Sequence, residues 1–308
     1  MVAKRAPRRA VVIVAYNSDH HISSCLDSLR ASAPGWEVVV VDNGSVDGTA
    51  QRVAGGYPEV TLVEPGRNLG FAGGCNAGAA RCGPVDYLLF LNPDVRVQPG
   101  ALDRLVALVE MRGAAAAGPR MVSGDGRFQI GFAVRRFPTW WFLALDLCLV
   151  NRVWPRNPLA VRVKQSDLDY TVDQPVLQIA GACLLVRRDA YVAVGGFDER
   201  FTPLWFEDVD FCWSLNEAGR TVWYCSGAEV IHVGGHSISR LGAFHAKAYW
   251  YANMMRFAQK RFGAVRSRAL RPLVVLGATL RGVIGASPSQ LRVAWRALRS
   301  GDVATWYA

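Results

Sequence analysis

The sequence predicts an α/β protein built on a doubly wound, mostly parallel sheet with helices on both faces. Short apolar runs alternate with helical segments four times in the first half of the chain. These runs are five or six residues long and apolar throughout, as expected for strands that are buried on both faces. A polar segment follows each run, and in such sheets ligands bind at the carboxyl ends of the strands.

The predicted elements follow one order, strand and then helix. The strands are VVIVA (11–15), WEVVVV (36–41), VTLVE (60–64) and YLLFL (87–91), and the helices lie near 21–32, 48–55, 73–82 and 100–111. The region 119–175 is irregular and aromatic, with one predicted helix at 140–154. A second α/β portion follows, with strand segments in 177–186, at 221–225 and at 228–232, and a helix at 207–219.

Composition limits the class of protein. With 308 residues, of which 51% are hydrophobic, the chain can bury a core and is not a disordered protein. The segment before the first strand has neither the apolar length nor the cleavage site of a signal peptide. Seven cysteines without CxxC pairs favour a reducing compartment over a disulfide framework or a zinc knuckle. We therefore expect a cytoplasmic protein.

The positive charge is concentrated towards the C-terminus. Of the net charge of +10, residues 243–308 supply the whole excess, with eleven Lys or Arg and one acid. Residues 1–242 balance, with 24 basic and 24 acidic side chains. We predict an α/β unit over 1–242, with halves at about 10–118 and 119–242, and a basic helical tail over 243–308.

The tail contains two predicted helices, at 243–262 and 289–300. The second places Arg292, Arg296 and Arg299 opposite an apolar side made of Leu291, Ala294, Trp295 and Leu298. That pattern is typical of helices on an anionic membrane surface, and we expect residues 264–308 to bind one. The apolar run 272–286 is shorter than the roughly 20 residues of a spanning helix. The alternatives are packing on the α/β unit or on a second copy of the chain, as a homo-oligomer. Nucleic acid is not expected, because no binding motif accompanies the charge.

Polar residues follow each of the first four predicted strands. They are Tyr16 and Asn17, the segment DNGSVDGT with Asp42 and Asn43, the segment GRNLGFAGGCNAG, and Asn92 and Asp94 around Pro93. One such loop is ordinary turn and helix-cap chemistry. Four on the same predicted edge of a sheet indicate a polar, ligand-binding cleft.

The segment GRNLGFAGGCNAG (66–78) has five glycines around a predicted helix start, which allows a phosphate to approach the backbone closely. It matches neither G-x-G-x-x-G nor G-x-x-x-x-G-K-[ST] in the required context. Arg67, Asn68, Gly73 and Asn76 are candidate nucleotide contacts. A tight turn with a helix cap is the alternative.

Two later segments add ionisable groups. WFEDVDF (205–211) places Glu207, Asp208 and Asp210 beside two aromatic residues. The helix dipole favours acids at such a position, but a carboxylate against aromatic rings also has a raised pKa and can act as a general base. IHVGGHS (231–237) adds His232 and His236 at a strand end. One carboxylate and one histidine are few protein ligands for a metal ion, because Mg²⁺ and Mn²⁺ complete their coordination shells with oxygen atoms of substrate phosphates.

An ordered set of motifs makes a family resemblance specific. Over about residues 10–240 the chain resembles family 2 glycosyltransferases of the GT-A fold, through VVIVAYN, DNGSVDGT, NLGFAGGCNAG, LLFLNPDV, GGFDERF, WFEDVDF and IHVGGHS. Within that family it most resembles bacterial rhamnosyltransferases, including the actinobacterial ones that act on polyprenyl-diphospho-N-acetylglucosamine. VWPRNP (153–158) and ACLLVRRDAYVAVGGFDERF (182–201) carry this second resemblance.

The resemblance implies an inverting glycosyltransferase that depends on Mg²⁺ or Mn²⁺ and acts at the cytoplasmic face of the membrane. Its expected reaction moves L-rhamnose from dTDP-L-rhamnose to a lipid-linked saccharide in cell-wall or surface polysaccharide synthesis. The alternatives are another donor, such as UDP-galactofuranose, UDP-glucose or UDP-N-acetylglucosamine, or a non-catalytic nucleotide-sugar-binding protein.

The resemblance also implies roles for single residues. Asp94 matches the last Asp of the DxD metal motif, Asn92 stands where the first Asp usually is, and His232 matches a late His that completes the coordination. Asp208 matches the catalytic base. Glu207, beside Trp205, matches an acceptor contact. The expected nucleotide-sugar contacts are Tyr16, Asn17, Asp42 (facing the pyrimidine edge), Asn43, Arg67, Asn68, Gly73, Asn76 and Asn92.

Overall fold

The computed structural model describes residues 7–234, 242–300 and 302–306. The first half contains the strands β1 (Arg9–Ala15), β2 (Glu37–Asp42), β3 (Thr61–Val63) and β4 (Tyr87–Leu91), with the helices α1 (Asp19–Ser32), α2 (Thr49–Gly56) and α3 (Gly70–Arg81) between them. Next come β5 (Val95–Val97), α4 (Ala101–Arg112), β6 (Ala116–Val122) and β7 (Val134–Arg135).

The remaining elements begin with three short helices, α5 (Trp140–Leu147), α6 (Val150–Val153) and α7 (Pro158–Lys164). They are followed by β8 (Gln174–Val176), β9 (Gln178–Ile179), β10 (Cys183–Arg187), α8 (Arg188–Ala193), α9 (Glu207–Glu217) and β11 (Val222–His232). The last elements are α10 (Ala243–Phe262), α11 (Ala264–Ile284), α12 (Pro288–Arg299) and a 3₁₀ turn (Val303–Trp306).

A nine-stranded sheet forms the centre of the described chain, in the order β3-β2-β1-β4-β10-β6-β11-β5, with β8 paired to β11. The β3-β2-β1-β4 part is parallel, as predicted, and β10 joins it antiparallel to both β4 and β6. The strand order reverses at β1, which lies between β2 and β4. Because parallel crossovers are right-handed, this reversal places successive helices on opposite faces and opens a crevice at the carboxyl ends of the strands.

Helix α3 packs unusually close to β1. A Cβ atom at Gly74 would lie 2.6 Å from Cγ1 of Val14, and one at Gly78 would lie 2.4 Å from Cγ1 of Val12. Only glycine fits at such distances. These glycines therefore serve helix–sheet packing, whereas the sequence suggested that the segment offers its backbone to a phosphate.

Two predicted boundaries differ from the structure. The helix expected over 140–154 is interrupted, because Leu149 has a positive φ of 65° and separates α5 from α6. The two strands expected at 221–225 and 228–232 form the single strand β11, whose register against β6 shifts between Cys225 and Glu229.

The C-terminal helices share a hydrophobic core with α5 and α9, so the prediction of an appended tail over 243–308 is corrected. The buried members of this second core include Leu143, Leu147, Phe206, Val209, Tyr251, Met254, Phe257, Leu270, Val274, Val293 and Trp306. Some of the basic side chains in these helices also form ion pairs within the protein. Arg261 and Lys260 pair with the buried carboxylate of Asp210 at 2.6 and 2.7 Å. In the described ranges, no helix is both long and apolar enough to cross a membrane.

Candidate functional site

A cavity of about 570 Å³ lies at the carboxyl ends of β1 and β4, between the sheet and the second core. Nine of the predicted site residues line it: Tyr16, Asn43, Asn68, Asn92, Asp94, Trp205, Glu207, Asp208 and His232. They come from separate loops of the first half, from the start of α9 and from the end of β11. The topology of the sheet therefore assembles them in one place.

Strand pairing brings Asp94 and His232 together. Asp94 directly precedes β5, and His232 ends β11, which pairs antiparallel with β5 so that His232 stands opposite Val95. Asp94 Oδ2 accepts a hydrogen bond from the Gly234 backbone N–H at 3.0 Å. Asp94 Oδ1 lies 3.6 Å from His232 Nε2. This distance exceeds that of a hydrogen bond.

Gln129, which the sequence did not single out, fixes the His232 ring. Its Nε2 donates to the His232 backbone carbonyl at 2.9 Å, and its Oε1 lies 2.9 Å from Nδ1. A carbonyl can only accept, so the amide orientation is set and Oε1 must accept from Nδ1–H. The neutral ring then presents the lone pair of Nε2 to Asp94. Phe132 stacks on the imidazole at 5.0 Å, with ring planes 10° apart.

The protonation of His232 suits this arrangement. Burial lowers the pKa of His232, and the nearby negative charge of Asp94 opposes that shift. The side chain is 7% exposed. The neutral, metal-binding form of the imidazole is therefore favoured near neutral pH.

The residues around Asp94 suit a divalent cation to which the protein supplies only a few of the ligands. With metal–ligand bonds of about 2.1 Å, two neighbouring ligands of one cation lie roughly 3 Å or slightly more apart, close to the Asp94–His232 separation. Within residues 7–234, 242–300 and 302–306, no group of three or more His, Cys, Asp or Glu side chains is arranged to hold a metal ion. Further coordination would therefore come from a diphosphate, from water or from the Asn92 amide, which also lines the cavity.

Asp208 faces the cavity from the first turn of α9. Two residues with positive φ, Trp205 at 78° and Phe206 at 73°, turn the chain into this helix. Asp208 Oδ2 accepts from the Gly181 backbone N–H at 3.0 Å and from Gln178 Nε2 at 3.3 Å. Its Oδ1 accepts from the Val209 N–H at 2.7 Å. These three donors hold the carboxylate in a fixed orientation, half-buried, with access to the cavity.

The surroundings of Glu207 favour its protonated form. Burial, together with the charge of Asp208, raises the pKa of Glu207 well above its usual range. The side chain is 7% exposed, and within the described residues its Oε2 has no hydrogen-bond partner. Buried polar atoms are almost always paired, so an unpaired one in a cavity wall indicates a ligand contact.

Asn43 and Asn68 join the loops that follow β2 and β3. Asn43 Nδ2 donates to Asn68 Oδ1 and to the Gly70 carbonyl, each at 3.0 Å, and its Oδ1 accepts from Leu69 N–H at 2.8 Å. Asn68 Oδ1 also accepts from the Gly70 N–H at 2.8 Å. These amides shape the cavity edge where a nucleotide is expected.

Five predicted contacts do not line the cavity: Asn17, Asp42, Arg67, Gly73 and Asn76. Asn17 Oδ1 accepts from Val46 N–H at 2.8 Å, and Arg67 is exposed. Asp42 is 4% exposed, and its Oδ1 has no partner in the described part of the chain. It therefore keeps a free acceptor near the edge of the sheet. His236 lies outside the described residues.

Asn76 and Gly73 need a correction. Asn76 Nδ2 donates to the Phe197 carbonyl and to Glu199 Oε1, and its Oδ1 accepts from Tyr191 O–H and Phe197 N–H. This uses the full hydrogen-bonding capacity of the amide, so Asn76 anchors the GGFDERF loop rather than a nucleotide. Gly73 is buried within α3, where a Cβ atom would lie 3.0 Å from that of Leu69.

Comparisons with known proteins bear on the family of the chain. Residues 10–194 match the model of glycosyl transferase family 2. N-acetylglucosaminyl-diphospho-decaprenol L-rhamnosyltransferase of Mycobacterium tuberculosis is 34% identical over 292 residues, which cover 88% of this chain and 94% of that protein. Rhamnosyltransferase WbbL of Escherichia coli is 25% identical over 248 residues, 78% of this chain and 88% of that protein.

Two solved structures resemble the fold. Mannosyltransferase PcManGT from Pyrobaculum calidifontis, in complex with GDP-Man and Mn²⁺, has a TM-score of 0.56 at 18% identity and covers 99% of this chain and 84% of its own. GalNAc-T7 with UDP, GalNAc and Mn²⁺ has a TM-score of 0.60 at 14% identity, covering 83% of this chain and 48% of its own. At these identities the likeness shows the fold alone.

Proposed function

The chain is a member of glycosyl transferase family 2, and we propose that it moves L-rhamnose from dTDP-L-rhamnose to a hydroxyl of a polyprenyl-diphosphate-linked saccharide. The name of the Mycobacterium tuberculosis relative supports both the sugar and the acceptor class. The structural observation that carries the proposal is one cavity that contains the Asp94–His232 pair and the oriented carboxylate of Asp208.

Asp94 and His232 are the residues that would hold Mg²⁺ or Mn²⁺ beneath the donor diphosphate. When bound, the cation supplies Lewis-acid stabilisation of the departing nucleoside diphosphate. Asn92, on the same loop as Asp94, has an amide that can contact the sugar or the diphosphate.

Asp208 is proposed as the general base. The Asp208 carboxylate accepts two hydrogen bonds on Oδ2 and one, from the Val209 N–H, on Oδ1, so Oδ1 keeps a lone pair for the proton of an acceptor hydroxyl. Because one base and a stabilised leaving group suffice, the transfer is a single displacement and inverts the anomeric configuration. Glycoside hydrolysis differs in using two carboxylates. Glu207, protonated, donates a hydrogen bond to a sugar hydroxyl, and Trp205 packs on the acceptor.

The pyrimidine and ribose of the donor are proposed to lie against Tyr16, Asn43 and Asn68, with Asp42 reaching the base edge. A carboxylate oxygen without a partner suits the N3–H donor of thymine or uracil equally. Contact with the pyrimidine base therefore does not distinguish dTDP-L-rhamnose from UDP sugars, and the donor must be identified by experiment.

A donor screen tests the proposal. Purified enzyme, a prenyl-diphospho-N-acetylglucosamine acceptor and either Mg²⁺ or Mn²⁺ are mixed with each nucleotide sugar in turn, and release of the nucleoside diphosphate is measured. We expect acceptor-dependent release from dTDP-L-rhamnose. Turnover of UDP-galactofuranose, UDP-glucose or UDP-N-acetylglucosamine, with none of dTDP-L-rhamnose, would overturn the assignment of the sugar. Absence of turnover with every donor would favour a non-catalytic binding protein.

We further propose that the protein lies peripherally on the cytoplasmic membrane face through α11 and α12. The inner side of α12, with Val293, Ala294 and Ala297, is buried in the second core, so the helix also packs on the α/β unit. Its outer side exposes Leu291, Trp295 and Leu298, at 42%, 51% and 67%. Arg299 stacks on Trp295 at 4.1 Å. An exposed apolar stripe beside arginines fits an anionic bilayer surface.

Vesicle flotation tests this surface. A Trp295→Gln/Leu298→Gln variant should lose most of its binding to vesicles that contain phosphatidylglycerol, while Met111→Gln, an exposed position on α4, should bind like the parent. Equal binding by all three proteins would place the membrane contact elsewhere. Elution of the double variant as a smaller species than the parent would instead indicate contact with a second copy of the chain.

A further inference from the structure

A basic cluster lines the cavity on a wall that the proposed donor site does not use. It consists of Arg135 at the end of β7, Arg136 directly after it, and Lys164 at the end of α7. No sequence pattern predicts this cluster, because its residues lie in the region without periodicity. All three side chains belong to the segment inserted between β6 and β8.

Backbone and packing contacts hold the basic cluster together. The Arg136 N–H donates to the Val163 carbonyl at 2.8 Å, which joins β7 to α7 next to Lys164. Arg135 Nε donates to the Gly131 carbonyl. A Cβ atom at Gly131, whose φ is +75°, would lie 3.3 Å from Cβ of Lys164. The three cations are therefore presented by one connected piece of structure.

Their charge is not neutralised by the described protein. Across residues 7–234, 242–300 and 302–306, no carboxylate lies within ion-pair distance of the basic cluster. Asp146 lines the same cavity, but it lies 3.7 Å from Arg281 of α11. Asp208 acts on Arg135 at longer range, since its charge opposes the lowering of the Arg135 pKa by burial. Three cations in a cavity wall without a paired anion favour an anionic ligand.

The wall next to the basic cluster is apolar. Pro138, Phe142 and Leu143 line the cavity there, and Trp250 of α10 lines it as well. On α5 the neighbouring Trp141 is 68% exposed at the outer surface. A basic group followed by an apolar wall that reaches the surface is complementary to a diphosphate with a hydrocarbon chain.

We propose that Arg135, Arg136 and Lys164 bind the diphosphate of a prenyl-linked acceptor, and that the α5 wall contacts its first isoprene units. The inference rests on the proposed function for the identity of the acceptor. Guanidinium groups bind phosphate oxygens in a bidentate manner, and the ammonium group adds a point charge. Arg135 pairs with Gln178 of β9, and Gln178 donates to Asp208 Oδ2 at 3.3 Å, so this subsite lies beside the proposed base.

The nucleotide-sugar donor also carries a diphosphate. Kinetics must therefore show whether the basic cluster binds the diphosphate of the acceptor or that of the donor. We would replace Arg136 and Lys164 by Gln, singly and together, and compare each with Arg162→Gln, an exposed arginine of α7 outside the cavity lining. Three KM values would be measured: for the prenyl-diphospho-N-acetylglucosamine acceptor, for the nucleotide sugar, and for an alkyl N-acetylglucosaminide without a diphosphate.

We expect the KM for the diphosphate acceptor to rise about 10- to 100-fold, because each lost charge-assisted contact is worth roughly one factor of ten. The other two KM values and those of Arg162→Gln should stay within about twofold of the parent. A rise in the nucleotide-sugar KM instead would assign the basic cluster to the donor diphosphate. Three unchanged KM values would show that the cluster binds neither.

A binding measurement keeps the inference testable if the sugar or reaction is misassigned. Titration of the full chain with farnesyl diphosphate in a calorimeter should show binding that weakens about 10- to 100-fold in the Arg136→Gln/Lys164→Gln variant. Farnesol, which lacks the diphosphate, should bind the two proteins equally. Equal farnesyl diphosphate affinities would overturn the proposal, whatever the donor screen shows.

Discussion

Gln129 and His232 are joined by two hydrogen bonds, one to the backbone carbonyl of the histidine and one to its Nδ1. The pair sets which imidazole nitrogen is free to bind a cation. A residue that hydrogen-bonds a metal-binding histidine in this way typically contributes 10- to 100-fold to metal affinity. Gln129→Leu should therefore weaken Mn²⁺ binding by about that factor, measured by the electron paramagnetic resonance of free Mn²⁺ in the presence of nucleoside diphosphate.

The control for that variant is Gln51→Leu, at an exposed position of α2. It should bind Mn²⁺ like the parent. Equal Mn²⁺ affinities in Gln129→Leu and the parent would remove both the tautomer argument and the role of Nε2.

Asp208→Asn should abolish turnover and spare nucleotide binding. The amide oxygen can still accept from Gly181 N–H, whereas the amide nitrogen replaces the Oδ1 that accepts from Val209 N–H and has no basic lone pair. We expect kcat to fall by about 10²- to 10⁴-fold, with the affinity for nucleoside diphosphate and Mn²⁺ within about twofold of the parent. Stopped-flow turnover and calorimetry measure the two quantities. Substantial activity in this variant would exclude Asp208 as the base.

Glu207→Gln should change how stability depends on pH. The folded chain holds a proton on Glu207 that the unfolded chain releases above its ordinary pKa of 4.5. The free energy of unfolding is therefore highest below that pH and falls as pH rises towards the folded pKa, by at most about 1.4 kcal/mol per unit from this group. The variant lacks this loss, so its stability relative to the parent should increase with pH.

Urea unfolding at several pH values between about 5 and 8 checks this expectation. Glu64→Gln, at an exposed carboxyl group, is the control and should run parallel to the parent. A Glu207→Gln curve parallel to that of the parent would mean that Glu207 is ionised in the folded protein.

Gly78→Ala should destabilise the fold. The new Cβ would lie 2.4 Å from Cγ1 of Val12 and 3.1 Å from Cγ2 of Val41, so α3 must move away from the sheet. Overpacking of this kind costs about 1–3 kcal/mol. Gly55→Ala in α2 meets nothing within 4 Å and should instead stabilise the protein by up to about 1 kcal/mol. Urea unfolding should therefore show that the free energy of unfolding falls in Gly78→Ala and rises in Gly55→Ala. An unchanged free energy in Gly78→Ala would contradict the close packing.

The sequence predicted the parallel part of the sheet well because its strands are apolar without interruption. All five residues of β4 and six of the seven in β1 are buried, and both strands lie within two residues of their predicted bounds. The cavity at the predicted edge of the sheet is lined by Tyr16, Asp94, Asp208 and His232. In each case local pattern and topology determine the position.

The sequence pattern did not predict the roles of residues that are determined by tertiary contacts. Asn76 resembles a nucleotide contact in its motif, yet its partners lie about 120 positions later in the chain. Gln129 and the basic cluster lie in a segment whose short helices have no readable period, so nothing local marks them. The C-terminal helices were read as a surface tail because charge counts do not reveal that Arg261 is buried against Asp210.

Helix α10 supports the site from the far end of the chain. Asn253 donates to the carbonyls of Thr202 and Leu204 at 3.2 and 2.8 Å, and Trp250 lines the cavity. The parallel strands leave the ribosome long before this helix does. The part of the cavity wall that Trp250 forms is therefore complete only near the end of synthesis, and we expect a chain truncated before α10 to lack it.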